Sequence, residues 1–282
     1  MRGLLPYTIN VGGKLMDLSE PQVMGILNVT TDSFYSSSRK NSEQEIAGRV
    51  TDILAEGGSI IDIGAYSSRP AAEHISVEEE MSRLHGALQI LRKIAPDAVV
   101  SVDTFRADVA KMCLEEYGVQ IINDISGGEL DPSMFETVAA LGVPYILMHM
   151  QGTPQTMQME PRYDDLLTEM LQYFGRKVQQ LHELGVKDII LDPGFGFAKT
   201  LDHNYELMNR LQDLNVLELP ILVGVSRKSM IYRLLGGSPE NALNGTSVLN
   251  TLALLKGASI LRVHDVKEAV EVVQIVKKML AC

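Results

Sequence analysis

The chain has 282 residues, 45% of them hydrophobic, and its 25 basic against 36 acidic residues give a formal charge of −11. That length suits one α/β barrel with a single large core, while the negative charge, the absence of Trp and the 5% aromatic content argue against a nucleic-acid surface. No apolar run nears the roughly 18 residues of a membrane span. The opening MRGLLPYTIN has no signal-like apolar core, and Cys113 and Cys282 form neither a disulfide framework nor a metal-ligand spacing, so a cytoplasmic protein is expected.

In chain order, residues 7–18 alternate loosely about Gly12-Gly13, a hairpin signal, and residues 1–22 are read as an N-terminal hairpin flap. Apolar runs follow at 23–28, 60–64, 99–102, 120–122, 145–148, 189–191, 221–225 and 259–263. Helical patterns lie between them at 44–56, 77–94, 106–116, 133–141, 163–184, 205–214, 229–235 and 244–255, and a last one at 266–280 closes the chain. Strands this apolar have no wet face. Alternating with helices and uninterrupted by any low-complexity linker, they predict one α/β domain over 1–282, a (β/α)8 TIM barrel.

Polar residues gather at the strand ends: Asn28, then Ser67, Ser68 and Arg69, then Asp103, Asn123, Asp124, His149, Asp192, Arg227, Lys228, Arg262 and His264. A barrel carries the C-terminal ends of its strands to one rim, where such folds build their active sites. Asp192 ends an apolar run and meets a Pro193-Gly194 loop at once. A buried carboxylate there needs donors. Either a ligand presents them in a fork, as a 2-amino-4-oxo pyrimidine edge does, or Asp192 caps the following helix. Asp103, Asn123 and Asp192 together supply two carboxylates and an amide, a set that suits a flat heterocycle rich in donors.

Lys228, in Ser226-Arg227-Lys228-Ser229, opens a helix where positive charge opposes the macrodipole, so an anionic or electron-rich neighbour is expected. Arg69, Arg262 and His264 make a cationic group suited to a diphosphate. A diphosphate commonly travels with Mg²⁺, which needs only one or two protein oxygens, such as the Asn28 amide. His74, His85, His182 and His203 have no partner spacing and read as structural, as does the Met-rich stretch 148–159. Residues 29–40 and 65–75 are expected to close over the site.

Four strings now carry a resemblance: Met24-Gly25-Ile26-Leu27-Asn28-Val29-Thr30-Thr31-Asp32-Ser33-Phe34, Asp192-Pro193-Gly194-Phe195-Gly196-Phe197, Ser226-Arg227-Lys228 and Arg262-Val263-His264-Asp265. In this order they resemble the dihydropteroate synthase family from about Val23 to the last helix. The resemblance implies a cytoplasmic barrel enzyme, usually a homodimer, that joins 6-hydroxymethyl-7,8-dihydropterin diphosphate to 4-aminobenzoate and releases diphosphate and 7,8-dihydropteroate. It implies that Asp103, Asn123, Asp192 and Lys228 hold the pterin, that Ile125, Met148 and Phe197 line its pocket, and that Arg262 lies over its face. Asn28 matches the family's Mg²⁺ ligand. Arg69, Arg262 and His264 match diphosphate contacts and with Lys228 form the expected catalytic group. Ser68 and Ser229 complete the substrate-binding set.

Two loops depart from the family pattern. Thr31 and the serines 36–38 replace a Pro and glycines in the first, and Tyr66 replaces a Glu in the second, so 4-aminobenzoate geometry is where change is expected. Two alternatives stay open. A methyltetrahydrofolate-dependent methyltransferase would share the Asp/Asn/Asp set and leave the cationic group unexplained, and a catalytically impaired pterin-binding relative would bind without turnover.

Overall fold

Strands rich in Ile, Val and Leu must be covered on both faces, and here they are covered by closing on themselves. The computed structural model describes residues 6–29, 39–67, 74–152 and 161–282. A hairpin, β1 (Thr8–Val11) and β2 (Lys14–Asp17), precedes β3 (Gln22–Asn28), α1 (Arg39–Ala55), β4 (Ile60–Gly64), α2 (Val77–Ile94), β5 (Val100–Asp103) and α3 (Ala107–Tyr117). Then come β6 (Ile121–Asp124), α4 (Met134–Leu141), β7 (Tyr145–Met148), α5 (Leu166–Glu183), β8 (Ile189–Asp192) and α6 (Leu201–Asn209). The chain ends with β9 (Ile221–Val223), α7 (Ser229–Leu235), α8 (Leu243–Leu255), β10 (Ala258–Val263) and α9 (Val266–Leu280).

Strands β3 to β10 form a closed barrel, β10 pairing with β3, and the assigned registers are all parallel. This is the (β/α)8 barrel the sequence predicts. Each of the eight apolar runs is a strand of it. The helix boundaries differ where caps override apolar period. The Asp165 side chain accepts the Thr168 amide and starts α5 at Leu166, and a Thr200–His203 capping box starts α6 four residues before the expected Tyr205. The helical pattern beyond Asn209 becomes the 3₁₀ segment Leu211–Leu217. None of the helices among the described residues is long and apolar enough to cross a membrane.

Successive strand residues face opposite ways, which sorts the barrel interior into layers. Met24, Ile60, Ile121, Ile146, Ile190, Leu222 and Ile260, one from nearly every strand, form a cluster with Ile9, Val11 and Leu18 of the hairpin region. The hairpin is thus packed on the barrel floor, at the N-terminal ends of the strands, and Asp188, just ahead of β8, accepts the Asn10 amide at 3.1 Å. Two residues further along the strands the lumen turns polar on four of them, with Asp62, Asn123, Asp192 and Arg262, while Met148 of β7 stays apolar. Leu18 is fully buried in the floor. Leu18→Ala is expected to cost about 2–5 kcal/mol in a denaturant melt through the cavity it leaves, without disturbing the rim at the other end of the barrel. A melt unchanged from the parent would contradict that placement.

Candidate active site

An arginine and two carboxylates lock the upper lumen. Arg262, near the end of β10, donates from Nε to Asp62 Oδ2 at 2.6 Å and from Nη2 to Asp103 Oδ2 at 2.6 Å. Asn123 Nδ2 donates to the same Asp62 oxygen at 3.1 Å. The registers set Asp103 of β5 level with Asn123 of β6, and Asp62 of β4, paired with Ser101, two residues below them. Burial pushes the Asp103 carboxyl up to about 7, with the Arg262 guanidinium pulling the other way. Burial alone would lower Arg262, but Asp62 and Asp103 hold it above its ordinary value, so it stays a cation. Asp62 is absent from the residues singled out in the sequence. Its signal was a lone charge inside an apolar strand, and its second oxygen, Oδ1, is buried without a hydrogen-bond partner.

Across the lumen, Asp192 ends β8 at 6% exposure. Its Oδ1 accepts the Gly194 amide at 2.8 Å, which folds the chain into a tight turn. The next helix is capped by Thr200, so helix capping is not what Asp192 does. Gly194 has φ +68°, and a Cβ there would stand 2.2 Å from the His149 carbonyl oxygen, so no other residue fits. The turn delivers the Phe195 carbonyl and the Phe197 ring to Lys228. Its Nζ donates to Phe195 O and lies 4.6 Å from the centre of the Phe197 ring. These, with Asp192, are the electron-rich neighbours expected for that lysine. Burial lowers the Lys228 ammonium to about 8, and the Asp192 charge limits the fall. Burial also raises Asp192, against the pull of Lys228. Ser229 follows at the first position of α7, half-buried.

Ile125 and Met148 are buried in an apolar patch with Phe105, Met150 and Ala198, and Phe197, Tyr66 and Leu130 pack against it. Tyr66 therefore reaches the apolar wall. Its ring stands edge-on to Phe105 at 5.0 Å and its hydroxyl hydrogen-bonds His74 Nδ1 at 3.0 Å.

His264, just past β10, departs from the sequence expectation. Burial, then the charge of Arg262, lowers its pKa to about 4, with Arg49 and Arg227 adding to the fall, so it is a neutral imidazole among arginine cations. Ser226 Oγ accepts the His264 backbone N–H at 3.1 Å and stands 3.0 Å from Nδ1. In the tautomer where the hydroxyl donates to Nδ1, the ring proton sits on Nε2 and His264 is a donor toward the mouth. Arg49 of α1, which local spacing did not mark, donates to Ile26 O at 3.1 Å and to His264 O at 2.6 Å, tying β3 to the end of β10. Asn28 is exposed at the end of β3 and lines a cleft with Glu45 and Arg49. Ser68 and Arg69 lie outside the described residues, as do 30–38 and 68–73 of the two loops expected to close and residues 153–159 of the Met-rich stretch.

Three rim residues serve the scaffold. Asp124 accepts from Ser126 N, Gly128 N and Tyr145 Oη at 2.7 to 2.8 Å. His149 is caged by Tyr173 and Phe174. Arg227 grips Asp265 with two hydrogen bonds, at 2.8 and 2.7 Å.

A closed barrel that gathers carboxylates, an amide, a lysine and an arginine at its mouth is the setting of a pterin-binding enzyme, and residues 24–264 match the family model described as Pterin binding enzyme. The chain is 42% identical to the dihydropteroate synthase of Escherichia coli K12 over 273 residues, covering 95% of each, and 40% identical to that of Synechocystis, covering 96% of this chain and 94% of the other. The Yersinia pestis dihydropteroate synthase, solved with a sulfonamide drug complex, superposes with a TM-score of 0.88 at 40% identity, covering 98% of this chain and all of the other. The Xanthomonas albilineans enzyme with 4-aminobenzoic acid gives 0.90 at 32% identity, covering 99% and 100%. Within the pterin-binding enzymes, the chain belongs to the dihydropteroate synthases, transferases of folate synthesis.

Proposed function

We propose that the protein condenses 6-hydroxymethyl-7,8-dihydropterin diphosphate with 4-aminobenzoate, giving 7,8-dihydropteroate and diphosphate, at the mouth described above. The observation that carries this reading is the meeting of Asp103, Asn123, Asp192, Lys228 and Arg262, drawn from five strands and loops, in one lumen. Asp103, Asn123 and Asp192 take the pterin's ring donors, Lys228 gives a hydrogen bond to its acceptor edge, and Ile125, Met148 and Phe197 cover its faces, with Arg262 over the ring. Ser229 and Ser68 complete the substrate contacts.

Arg262, Arg69 and the Nε2–H of His264 receive the departing diphosphate, a neutral donor and arginine cations acting together. The donor set fits Mg²⁺ only as a largely hydrated ion: Asn28 offers one amide oxygen, and among the described residues no group of three or more His, Cys, Asp or Glu could hold a metal. When bound, Mg²⁺ supplies charge neutralisation of the diphosphate. Cleavage of the bond from the exocyclic methylene to oxygen runs ahead of attack by the arylamine, the electron-rich pterin spreading the developing positive charge. A neutral arylamine is a weak nucleophile, so the site acts on it by proximity and exclusion of water rather than through a protein base, and once the C–N bond forms the nitrogen's extra proton passes to the released diphosphate.

Incubation of the protein with the pterin diphosphate, Mg²⁺ and 4-aminobenzoate should yield dihydropteroate. Diphosphate-dependent pterin binding without turnover would identify an impaired relative instead. The reading also sets a pH dependence. Lys228 is charged below about 8 and loses its proton as pH rises through that value, so kcat/KM for the pterin diphosphate is expected to fall on an alkaline limb near it. A flat profile to about pH 10 would contradict the assigned role of Lys228.

A homodimer in the cytoplasm completes the proposal. Leu234 and Leu235 of α7, Val248 and Leu252 of α8, and Ile275 and Met279 of α9 are exposed on consecutive outer helices, an apolar surface suited to a second copy. Light scattering should give about twice 31.0 kDa; a monomer would refute it.

A further inference from the structure

Lys199 lies outside every role given above, and its ammonium is among the most enclosed charges in the molecule, at 4% exposure. Its Nζ donates to Gly194 O at 3.1 Å and to Phe197 O at 3.1 Å, and lies 3.2 Å from His149 Nδ1. An ammonium has no lone pair, so His149 Nδ1 accepts and the ring carries its proton on Nε2. Burial, then the Lys199 charge, keeps that ring neutral, and Tyr173 stands edge-on to it at 4.9 Å.

The backbone of the same segment is pinned from two sides. Tyr163 Oη donates to Ala198 O at 2.9 Å, and Asn204 of α6 donates to Lys199 O at 3.3 Å while accepting the Gly196 amide at 2.7 Å. The two carbonyls under Lys199 belong to the turn that presents Phe195 and Phe197 to Lys228, the turn that begins at Asp192.

The charges facing Lys199 are Asp192 from β8, which favours its protonated form, and Lys228 from ahead of α7, which disfavours it; His149 from the end of β7 is neutral. Burial is the larger influence and lowers the ammonium to about 7. Around Asp192 the corresponding groups are Lys228, the Gly194 amide, Arg262 and Lys199, all favouring the carboxylate against burial.

We propose that Lys199 is a positioning residue for the pterin site: from beneath the turn it clamps the Gly194 and Phe197 carbonyls and so holds the loop that begins at Asp192 against the pterin's donors. It touches no substrate. The proposal rests on the pterin-binding reading and deepens it, because it makes the affinity of the mouth depend on a charge that the ligand never meets.

The test compares the full-length protein with Lys199→Gln, which keeps an N–H donor for the carbonyls without the charge, and Lys199→Met, which keeps neither. Calorimetry with 6-hydroxymethyl-7,8-dihydropterin diphosphate and Mg²⁺ should show Kd raised about tenfold or more in both variants, further in Met, with KM for 4-aminobenzoate unchanged. The acid limb of kcat/KM should move to higher pH in both, since losing a cation beside Asp192 favours its protonated form. A merely structural lysine would lower Tm and leave the limb in place. Wild-type Kd and an unmoved limb in Lys199→Gln would overturn the proposal whatever happens to Tm. Failure of the unsubstituted protein to bind the pterin diphosphate would overturn the pterin reading and this proposal together.

Discussion

Asp192→Ala should reduce kcat/KM for the pterin diphosphate by about 10²–10⁴-fold. The 2-amino group of a pterin and the ring N–H beside it give a carboxylate two charge-assisted hydrogen bonds, each worth about 1.5–3 kcal/mol, so removing the acceptor costs roughly 3–6 kcal/mol of binding. The loss is compounded because Lys228 and Lys199 both draw support from the Asp192 charge, and without it both ammonium groups lose protons more easily. Affinity for the pterin diphosphate read by calorimetry should fall in parallel with kcat/KM, while the barrel stays folded, since Asp192 makes one backbone hydrogen bond. Unchanged affinity in a folded variant would mean that this carboxylate does not face the ligand.

Arg262→Met should damage both stability and turnover, for a reason that can be separated by pH. Arg262 is the shared partner of Asp62 and Asp103, and removing one member of a buried ion pair costs about 3–5 kcal/mol. Asp103 already stands near 7 with the guanidinium beside it and must rise further without it. A carboxyl whose folded-state pKa lies above its unfolded value binds the proton more tightly in the folded chain. Its penalty is therefore absent at low pH and grows as pH rises through the interval between the two values. The Tm deficit of Arg262→Met relative to the parent should thus be smaller near pH 6 than near pH 8, with dihydropteroate formation lost at both. A deficit independent of pH would contradict the proposed electrostatic origin.

What the sequence disclosed of these groups follows from how each is encoded. Parallel strands covered on both faces write continuous apolar runs, and such runs as Ile189-Ile190-Leu191 located all eight barrel strands. Residues at strand ends were harder, because position along the chain does not say which way a side chain turns. Asn123 points into the lumen and Asp124 away from it, and Met148 and His149 divide in the same way, as the two-residue period of a strand requires.

Asp62 escaped notice for another reason. A lone carboxylate in an apolar strand is explained only by its partner, and Arg262 is 200 residues away. Lys199 is bound mainly to backbone carbonyls, which no residue pattern records. The neutral state of His264 comes from burial and the nearby arginine, both products of the closed fold. The residues proposed to contact ligand stood out as a set, whereas those that hold them in place became visible with the structure.

The central claim is that one mouth grips a pterin on its carboxylate side and receives diphosphate on its arginine side. A crystal structure of the protein with the pterin diphosphate and Mg²⁺ tests it most directly. The account predicts the bicyclic ring hydrogen-bonded to Asp103, Asn123 and Asp192 with Lys228 on its acceptor edge, and the diphosphate beside Asn28, Arg262 and His264. A pterin seated elsewhere, or a diphosphate turned away from Arg262, would contradict it.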